Sequence, residues 1–338
     1  ASIAEVGVKN VEVWAASPHL HVDDVTHQKA QEARCAIQDR GLKLICYTPE
    51  TVVYPVNIAA PEEDIRKRSL AFESRGIEIT AELGCRMMLV TSGWGYLNQN
   101  REESLGRAME GLAYLTAKAE REGVLLALEH LSPISSNLIN TAQDLRQAVD
   151  EISSPNLKAM LDTCQVGIVH EHVRDYLELL GKDLVHVHLV DGTPGGHLAF
   201  GDGNLPLKEF VDTYHPDGIV LDRVRYVGLS TDFSEQSRKK WEAYSGISDE
   251  RWPEDMYTIV QTKNGYQEKP GRYFGTFITW RMQIIHDFIV KVKQMLREYP
   301  DVEFCDYTGS WYPLYYQVGV NWADQTYAGN EFPWCDKA

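Results

Sequence analysis

The sequence has no long hydrophobic run. Hydrophobic residues make up 43% of the 338 residues, yet no apolar stretch approaches the roughly 20 residues that a membrane-spanning helix needs. The first residues also lack a basic segment followed by an apolar one, so we predict no signal peptide. We therefore expect no membrane partner, a cytoplasmic location and ample apolar material for a large core.

The sequence is also poor in basic residues. It has 33 Lys and Arg residues against 49 Asp and Glu residues, for a net charge of −16. Binding to nucleic acid needs a basic face, so we expect no nucleic-acid partner. Most of the acidic residues are expected on a solvated surface, and a minority could line a site that attracts a cation.

Closely paired cysteines are missing too. The six cysteines are scattered along the chain, without the short spacings of a zinc ribbon or a disulfide scaffold. This distribution suits a reducing cytoplasm. The sequence also contains no internal repeat and no low-complexity tract.

Short apolar segments alternate with amphipathic ones along the chain. Glycines stand where the amphipathic helices should end, as at Gly84, Gly123 and Gly181. Repeated strand–helix units predict a parallel sheet, and eight strands close a TIM (β/α)8 barrel. We therefore predict an α/β fold with residues 1–338 forming a single barrel. Strands buried on both faces are predicted at 11–14, 42–47, 86–91, 124–129, 158–162, 184–190, 218–222 and 302–306.

The segment between the last two predicted strands has a different character. Residues 226–300 are rich in aromatic and charged side chains. The stretch 263–272, with two glycines and a proline, predicts a loop. A strong helix is expected to follow from about Ile278 to Arg297.

Three predicted strands end in side chains that can bind a metal: Glu129, Asp162 and His188. In a parallel barrel, all strand C-termini meet at one rim, so these residues are expected to converge. Carboxylates suit a hard divalent cation, and one imidazole favours Mn²⁺ or Co²⁺ over Mg²⁺. For each residue, the alternative of a helix cap or a loop hydrogen bond stays open. His186 lies on the same side of its strand as His188, and we expect it to pack or to support a ligand.

The motifs around these residues resemble those of a known family. Residues from about 11 to 207 are similar to the sugar isomerase and epimerase barrels related to xylose isomerase. The closest likeness is to ketose 3-epimerases of the tagatose, psicose and fructoselysine type. The motifs that carry the resemblance are Leu-Ala-Leu-Glu129, Met-Leu-Asp162-Thr, the run from His186 to His197, and Gly201-Asp202-Gly203.

The resemblance implies a mechanism and a set of roles. A divalent metal holds two adjacent oxygens of a ketose and polarises its carbonyl, one carboxylate removes the neighbouring proton, and another returns a proton to the opposite face. Glu129 matches the first carboxylate and is also a ligand, while Asp162 and His188 match ligands only. A cis-enediol is the implied intermediate, and a small sugar is the implied substrate.

Three further residues are candidates for contact with the substrate: His19, Glu50 and His197. For His19 and Glu50, a loop-capping or exposed role is an equally good interpretation. Barrels of this kind often pair through helices, so a homo-oligomer stays open as a partner.

The resemblance breaks near Tyr214. The family's first strand is absent, and so is its last-strand glutamate. Residues 215–338 instead resemble part of a bacterial glycoside hydrolase barrel, through Gly218–Tyr226 and other motifs. We therefore predict a composite, in which an isomerase-like portion at 1–214 is completed by a hydrolase-like portion at 215–338. The last strand would close the barrel in the place of the missing first one.

Asp222 falls where the family has its last-strand glutamate. It is therefore predicted as a metal ligand and as the second acid/base, although a salt bridge to Arg223 or Arg225 is the alternative. Two other functions stay open. One is a glycoside hydrolase that uses Asp222 and Asp306, supported by the aromatic residues Trp280, Trp311 and Tyr312. The other is a catalytically silent composite barrel.

Overall fold

The computed structural model divides the chain into two compact units. The first, here called the barrel unit, comprises residues 8–223 and 300–310, and the second, here called the inserted unit, comprises 224–299 together with the two ends of the chain. Only the backbone is described at residues 220, 221, 268 and 306–308. The structure describes residues 9–17, 20–52, 55–198, 203–207, 218–221, 226, 228–263 and 265–308.

Eight parallel strands form a closed barrel in the barrel unit, which confirms the predicted TIM fold. Their order around the barrel is β1-β10-β7-β6-β5-β4-β3-β2. The strands are β1 (Asn10–Ala15), β2 (Lys43–Pro49), β3 (Met87–Thr91), β4 (Leu125–Glu129), β5 (Leu157–Asp162), β6 (Leu184–Leu189), β7 (Gly218–Leu221) and β10 (Glu303–Thr308).

The last strand closes the ring, as the sequence predicted. Strand β10 pairs with β1 through Asn10 and Cys305, and with β7 through Glu303 and Gly218. The side-chain amide of Asn10 also donates a hydrogen bond to Glu303 Oε2 at 2.9 Å. These pairings leave neither β1 nor β7 with an open edge.

The barrel interior is filled by side chains from successive strands. Cys46, Leu89, Ala127 and Met160 form one buried cluster, with one residue from each of β2 to β5. Because side chains alternate along a strand, residues two positions further on point to the same interior. That relation places Glu129 beyond Ala127 and Asp162 beyond Met160, at the C-terminal ends of their strands.

Helices alternate with the strands of the barrel. The longest described helix of the barrel unit follows the N-cap Asn100, whose side chain accepts from the backbone N–H groups of Glu102 and Glu103, and it ends at Gly123 with φ +68°. A side chain at Gly123 would be strained in this left-handed conformation. The barrel helices are α1 (His27–Gln38), α2 (Glu63–Glu82), α3 (Arg101–Glu122), α4 (Ala142–Ile152), α5 (Thr163–Ile168) and α6 (Val173–Leu180).

The inserted unit has its own core around Trp241, Phe277 and Trp280. It contains helices α7 (Glu235–Ser245) and α8 (Phe274–Met295) and an antiparallel hairpin of β8 (Tyr257–Thr262) and β9 (Gly265–Pro270). No helix among the described residues has the length and apolarity to cross a membrane.

Two sequence-based interpretations of the inserted unit are wrong. Residues 265–270 form a strand rather than a loop, because the neighbouring Tyr257–Thr262 supplies a pairing partner and Gly265, at φ +107°, allows the turn between them. Trp280 is only 3% exposed and packs in the core, so its ring is not available to stack on a sugar.

Candidate metal centre

Glu129, Asp162 and His188 converge at one end of the barrel. Each offers a ligand atom that lies within 4.8 Å of the other two. Their strands are neighbours, and Asp162 stands directly opposite His188 in the pairing of β5 with β6. All three are buried, at 9%, 1% and 5% exposure respectively. Two carboxylates and an imidazole gathered at this spacing can hold a divalent cation.

Asp162 combines this position with a structural task. Its Oδ1 accepts hydrogen bonds from the backbone N–H groups of Cys164 and Gln165, at 2.7 and 3.1 Å, and so caps α5. Its Oδ2 lies 3.4 Å from His197 Nε2. The helix-cap interpretation of Asp162 is therefore correct, and Oδ2 is left for other contacts such as the one with His197.

Glu12 adjoins the centre and was missed by the sequence-based reasoning. Its side chain is wholly buried inside the barrel. Thr48 Oγ1 donates to its Oε1 at 2.5 Å, while its oxygens lie 2.9 Å from His186 Nε2 and 3.2 Å from His188 Nε2. One signal could have found it, since a lone carboxylate inside the apolar segment Val11–Trp14 is costly unless it has partners.

Burial and the two nearby imidazoles shift the pKa of the Glu12 carboxyl in opposite directions. Burial by itself would raise the pKa of the Glu12 carboxyl, but the nearby His188 and His186 rings lower it more, so that the pKa lies well below its usual range. Glu12 is therefore a carboxylate in the barrel interior. His186 contacts Glu12 and its ring lies 5.2 Å from that of His188. Its expected role in supporting a ligand stays a prediction, since Glu12, His186 and His188 also have ligand atoms within 4.8 Å of one another.

A cavity of about 230 Å³ opens over the centre. Glu129, Asp162 and His188 line it together with two of the residues predicted to contact a substrate, Glu50 and His197. Trp14 adds an aromatic wall. Glu50 is 7% exposed, and its Oε1 accepts from the backbone N–H of Val52 at 2.8 Å. A loop-capping contact therefore exists for Glu50, alongside its place in the cavity.

Several predicted site residues fall outside what the structure describes. His19, Asp222, Trp311 and Tyr312 are not among the described residues. For Asp306, only the backbone is described, and it pairs with Leu221 of β7. Their roles stay predictions.

A second group of ligand-type atoms shares Asp162 with the first. Asp162, Cys164 and His197 also have ligand atoms within 4.8 Å of one another. The Cys164 thiol donates to the carbonyl oxygen of Pro194 at 3.5 Å. This group involves a sulfur donor, which hard cations disfavour.

The loop after β6 is held by Asp191. Its carboxylate accepts from the backbone N–H groups of Gly192, Gly203 and Leu205, at 2.8, 3.1 and 3.1 Å. A Cβ on Gly203 would lie 2.2 Å from Asp191 Oδ1, so the close approach requires glycine. The Asp191 and Gly203 positions of the motif therefore shape the loop that carries His197.

Comparison with known proteins agrees with this architecture. The family model of the xylose isomerase-like TIM barrel matches residues 1–220. Fructoselysine 3-epimerase of Shigella flexneri is 32% identical over 231 residues, which cover 68% of this chain and 81% of the relative.

Solved structures of epimerases share the fold. D-psicose 3-epimerase crystallised in the presence of D-fructose superposes with a TM-score of 0.56 at 21% identity, covering 65% of this chain and 75% of its own. L-ribulose 3-epimerase superposes with a TM-score of 0.55 at 20% identity, covering 74% and 80%. With more than half of its length matched by the family model, the chain belongs to the xylose isomerase-like TIM barrel family.

Proposed function

We propose that this protein is a divalent-metal-dependent epimerase or isomerase of a ketose. The observation that carries the proposal is the convergence of Glu129, Asp162 and His188 at the C-terminal end of the barrel, where TIM-barrel enzymes have their active sites. The epimerase names of its relatives support the same reaction class.

The donor set fits a hard or borderline cation. Two carboxylate oxygens and one imidazole nitrogen suit Mn²⁺ best, and they also accept Co²⁺ or Mg²⁺. Glu129, Asp162 and His188 would hold the ion, with Asp222 as a proposed fourth ligand. When bound, the cation would polarise the ketose carbonyl and so acidify the adjacent C–H group.

The protein's own groups would carry the proton. The Glu129 carboxylate would accept the proton from the carbon beside the carbonyl. The electron pair of the broken C–H bond would form the C=C bond of a cis-enediolate, while the π pair of the carbonyl would move to its oxygen. A carboxylic acid on the opposite face, for which Asp222 is the candidate, would then donate a proton to that carbon. Glu50, His197 and Trp14 would orient the sugar in the cavity.

The size of the cavity supports a small substrate. Its volume of about 230 Å³ is below the roughly 300–1,000 Å³ typical of drug-sized sites. Its walls combine carboxylate, imidazole and indole groups, which suits the hydroxyls and C–H faces of a monosaccharide.

The proposal is tested by metal content and by exchange of a substrate hydrogen. The purified protein loaded with Mn²⁺ should catalyse wash-in of deuterium at C3 of D-psicose, D-fructose or fructoselysine, followed by NMR. We expect Glu129→Gln to slow exchange by at least about 100-fold, and His188→Ala to lose the bound metal. Glu110→Gln, on an exposed position of α3, is the matched control.

Two results would count against the proposal. A wild-type protein that cannot be loaded with any of the three cations lacks the centre. Hydrolysis of aryl glycosides that survives EDTA would instead favour the hydrolase that was left open from the sequence.

A further inference from the structure

Glu12 is a buried carboxyl group that contacts one hydroxyl and two imidazole rings. Its carboxylate receives the Thr48 hydroxyl and faces the Nε2 atoms of His186 and His188. A buried carboxylate is costly unless such contacts compensate it. Its position inside an otherwise apolar segment of β1 therefore calls for a reason other than packing.

The contact between Glu12 and His188 bears on which ring nitrogen of His188 could bind a cation. An imidazole that donates its Nε2 proton to a carboxylate keeps its lone pair on Nδ1. Glu12 lies 3.2 Å from His188 Nε2, while the ligand atoms of Glu129 and Asp162 lie within 4.8 Å of the ligand atom of His188. With the Nε2 proton donated to Glu12, Nδ1 of His188 would be the nitrogen left for the candidate centre.

We propose that Glu12 is a positioning residue that fixes the tautomer and orientation of His188 and strengthens its hold on a divalent cation. The inference rests on the proposed metal-dependent function. A carboxylate behind a ligating imidazole raises the basicity of the ligand and holds its ring in place. His186, on the same face of β6, shares the carboxylate and keeps it from rotating away.

The direct test compares the Mn²⁺ affinities of two variants, each with a buried Glu replaced by Gln. Glu12→Gln removes the carboxylate behind His188, while Glu73→Gln makes the same carboxyl-to-amide replacement at another buried position, on α2 and away from the candidate centre. Titration calorimetry and the EPR signal of free Mn²⁺ should show about 10- to 100-fold weaker binding for Glu12→Gln and unchanged binding for Glu73→Gln. Glu12→Asp, which retains the charge on a shorter side chain, should fall between wild type and Glu12→Gln.

The tautomer gives a readout that does not need metal. In the metal-free protein, ¹⁵N NMR of the histidine side chains should show His188 protonated at Nε2. Glu12→Gln should shift this resonance or make it a mixture of tautomers. A merely structural role for Glu12 would leave the spectrum of a folded variant unchanged.

The possible results distinguish failure of this inference from failure of the proposed metal-dependent function. Wild-type affinity in a folded Glu12→Gln protein overturns the inference and leaves the proposed function standing. Failure of the wild type to bind Mn²⁺, Co²⁺ or Mg²⁺ overturns both. If Glu12→Gln does not fold, Glu12→Asp decides, and wild-type affinity in that variant also contradicts the inference.

Discussion

At the scale of single residues, the barrel unit contains a buried acid away from the candidate centre. Glu73, on α2, is 2% exposed, and its Oε2 has no hydrogen-bond partner among the described residues. Burial raises the pKa of Glu73 to about 8 from its ordinary value of 4.5. The native protein therefore keeps this carboxyl protonated at neutral pH.

This residue predicts a pH dependence of stability. Between pH 4.5 and about 8, the unfolded chain loses the proton of Glu73 before the native protein does. The free energy of unfolding should therefore fall as the pH rises through that window. We expect Glu73→Gln to flatten the dependence and to raise the stability at pH 8 by roughly 2 kcal/mol or more.

The measurement is urea denaturation of the metal-free protein from pH 5 to pH 8. Glu63→Gln serves as the control, because Glu63 lies on the same helix, is 70% exposed and pairs with Lys67. The same pH dependence in Glu73→Gln as in wild type would contradict the prediction.

The residue scale also shows what the sequence could and could not reveal about the centre. Glu129, Asp162 and His188 stand out because each ends an apolar strand, and in a barrel the strand ends share a rim. Glu12 did not stand out, because its partners Thr48, His186 and His188 are distant in sequence and only barrel closure brings them to it.

At the scale of elements, Asp162 links the centre to a helix. Because Oδ1 of Asp162 caps α5, replacement of Asp162 should affect both local stability and any cation that its carboxylate holds. Asn can still cap a helix through its side-chain oxygen, whereas Ala cannot. The two functions of Asp162 can therefore be separated by the choice of substitution.

We expect both Asp162→Asn and Asp162→Ala to weaken Mn²⁺ binding strongly. In the metal-free state, Asp162→Ala should be less stable than Asp162→Asn by about 1 kcal/mol, the usual contribution of an N-cap. Thermal and urea denaturation of the metal-free variants checks this difference. Equal stabilities would show that the cap of α5 contributes little.

The elements that the sequence failed to predict lie in the inserted unit. The hairpin partner Gly265–Pro270 is short, polar and glycine-bounded, and only its pairing with Tyr257–Thr262 makes it a strand. The barrel strands were easier to predict from the sequence than β9, because strands buried on both faces form continuous apolar segments.

At the scale of the whole molecule, closure of the barrel depends on a strand that is distant in sequence. Strand β10 supplies hydrogen bonds to both β1 and β7, and its Cys305 is 1% exposed. Without β10, both neighbouring strands would expose unpaired backbone groups, which favours aggregation.

Truncation tests this dependence. A chain ending at residue 299 should lose cooperative unfolding and aggregate, while a chain ending at residue 310 retains β10 and serves as the control. Circular dichroism during heating and light scattering provide the measurements. A chain ending at 299 that melts as cooperatively as the control would refute the closing role of β10.

The family match ends at residue 220, close to where the resemblance to sugar epimerases was expected to break. The likeness of residues 215–338 to glycoside hydrolase barrels stays a prediction, as does the composite origin. The closed ring nevertheless includes strands from both the 1–214 and the 215–338 portions, since β6 pairs with β7 through His188 and Val220.

The sequence by itself determined the barrel and three members of the candidate centre. Apolar strand patterns, glycine helix stops and ligand-type residues at strand ends are local signals, and a parallel barrel converts them into a shared rim. Only the tertiary structure decided that Glu12 lies against His186 and His188, that Asp162 also caps a helix, and that Trp280 is buried. Those facts depend on contacts between side chains distant in sequence, which folding fixes and local patterns do not encode.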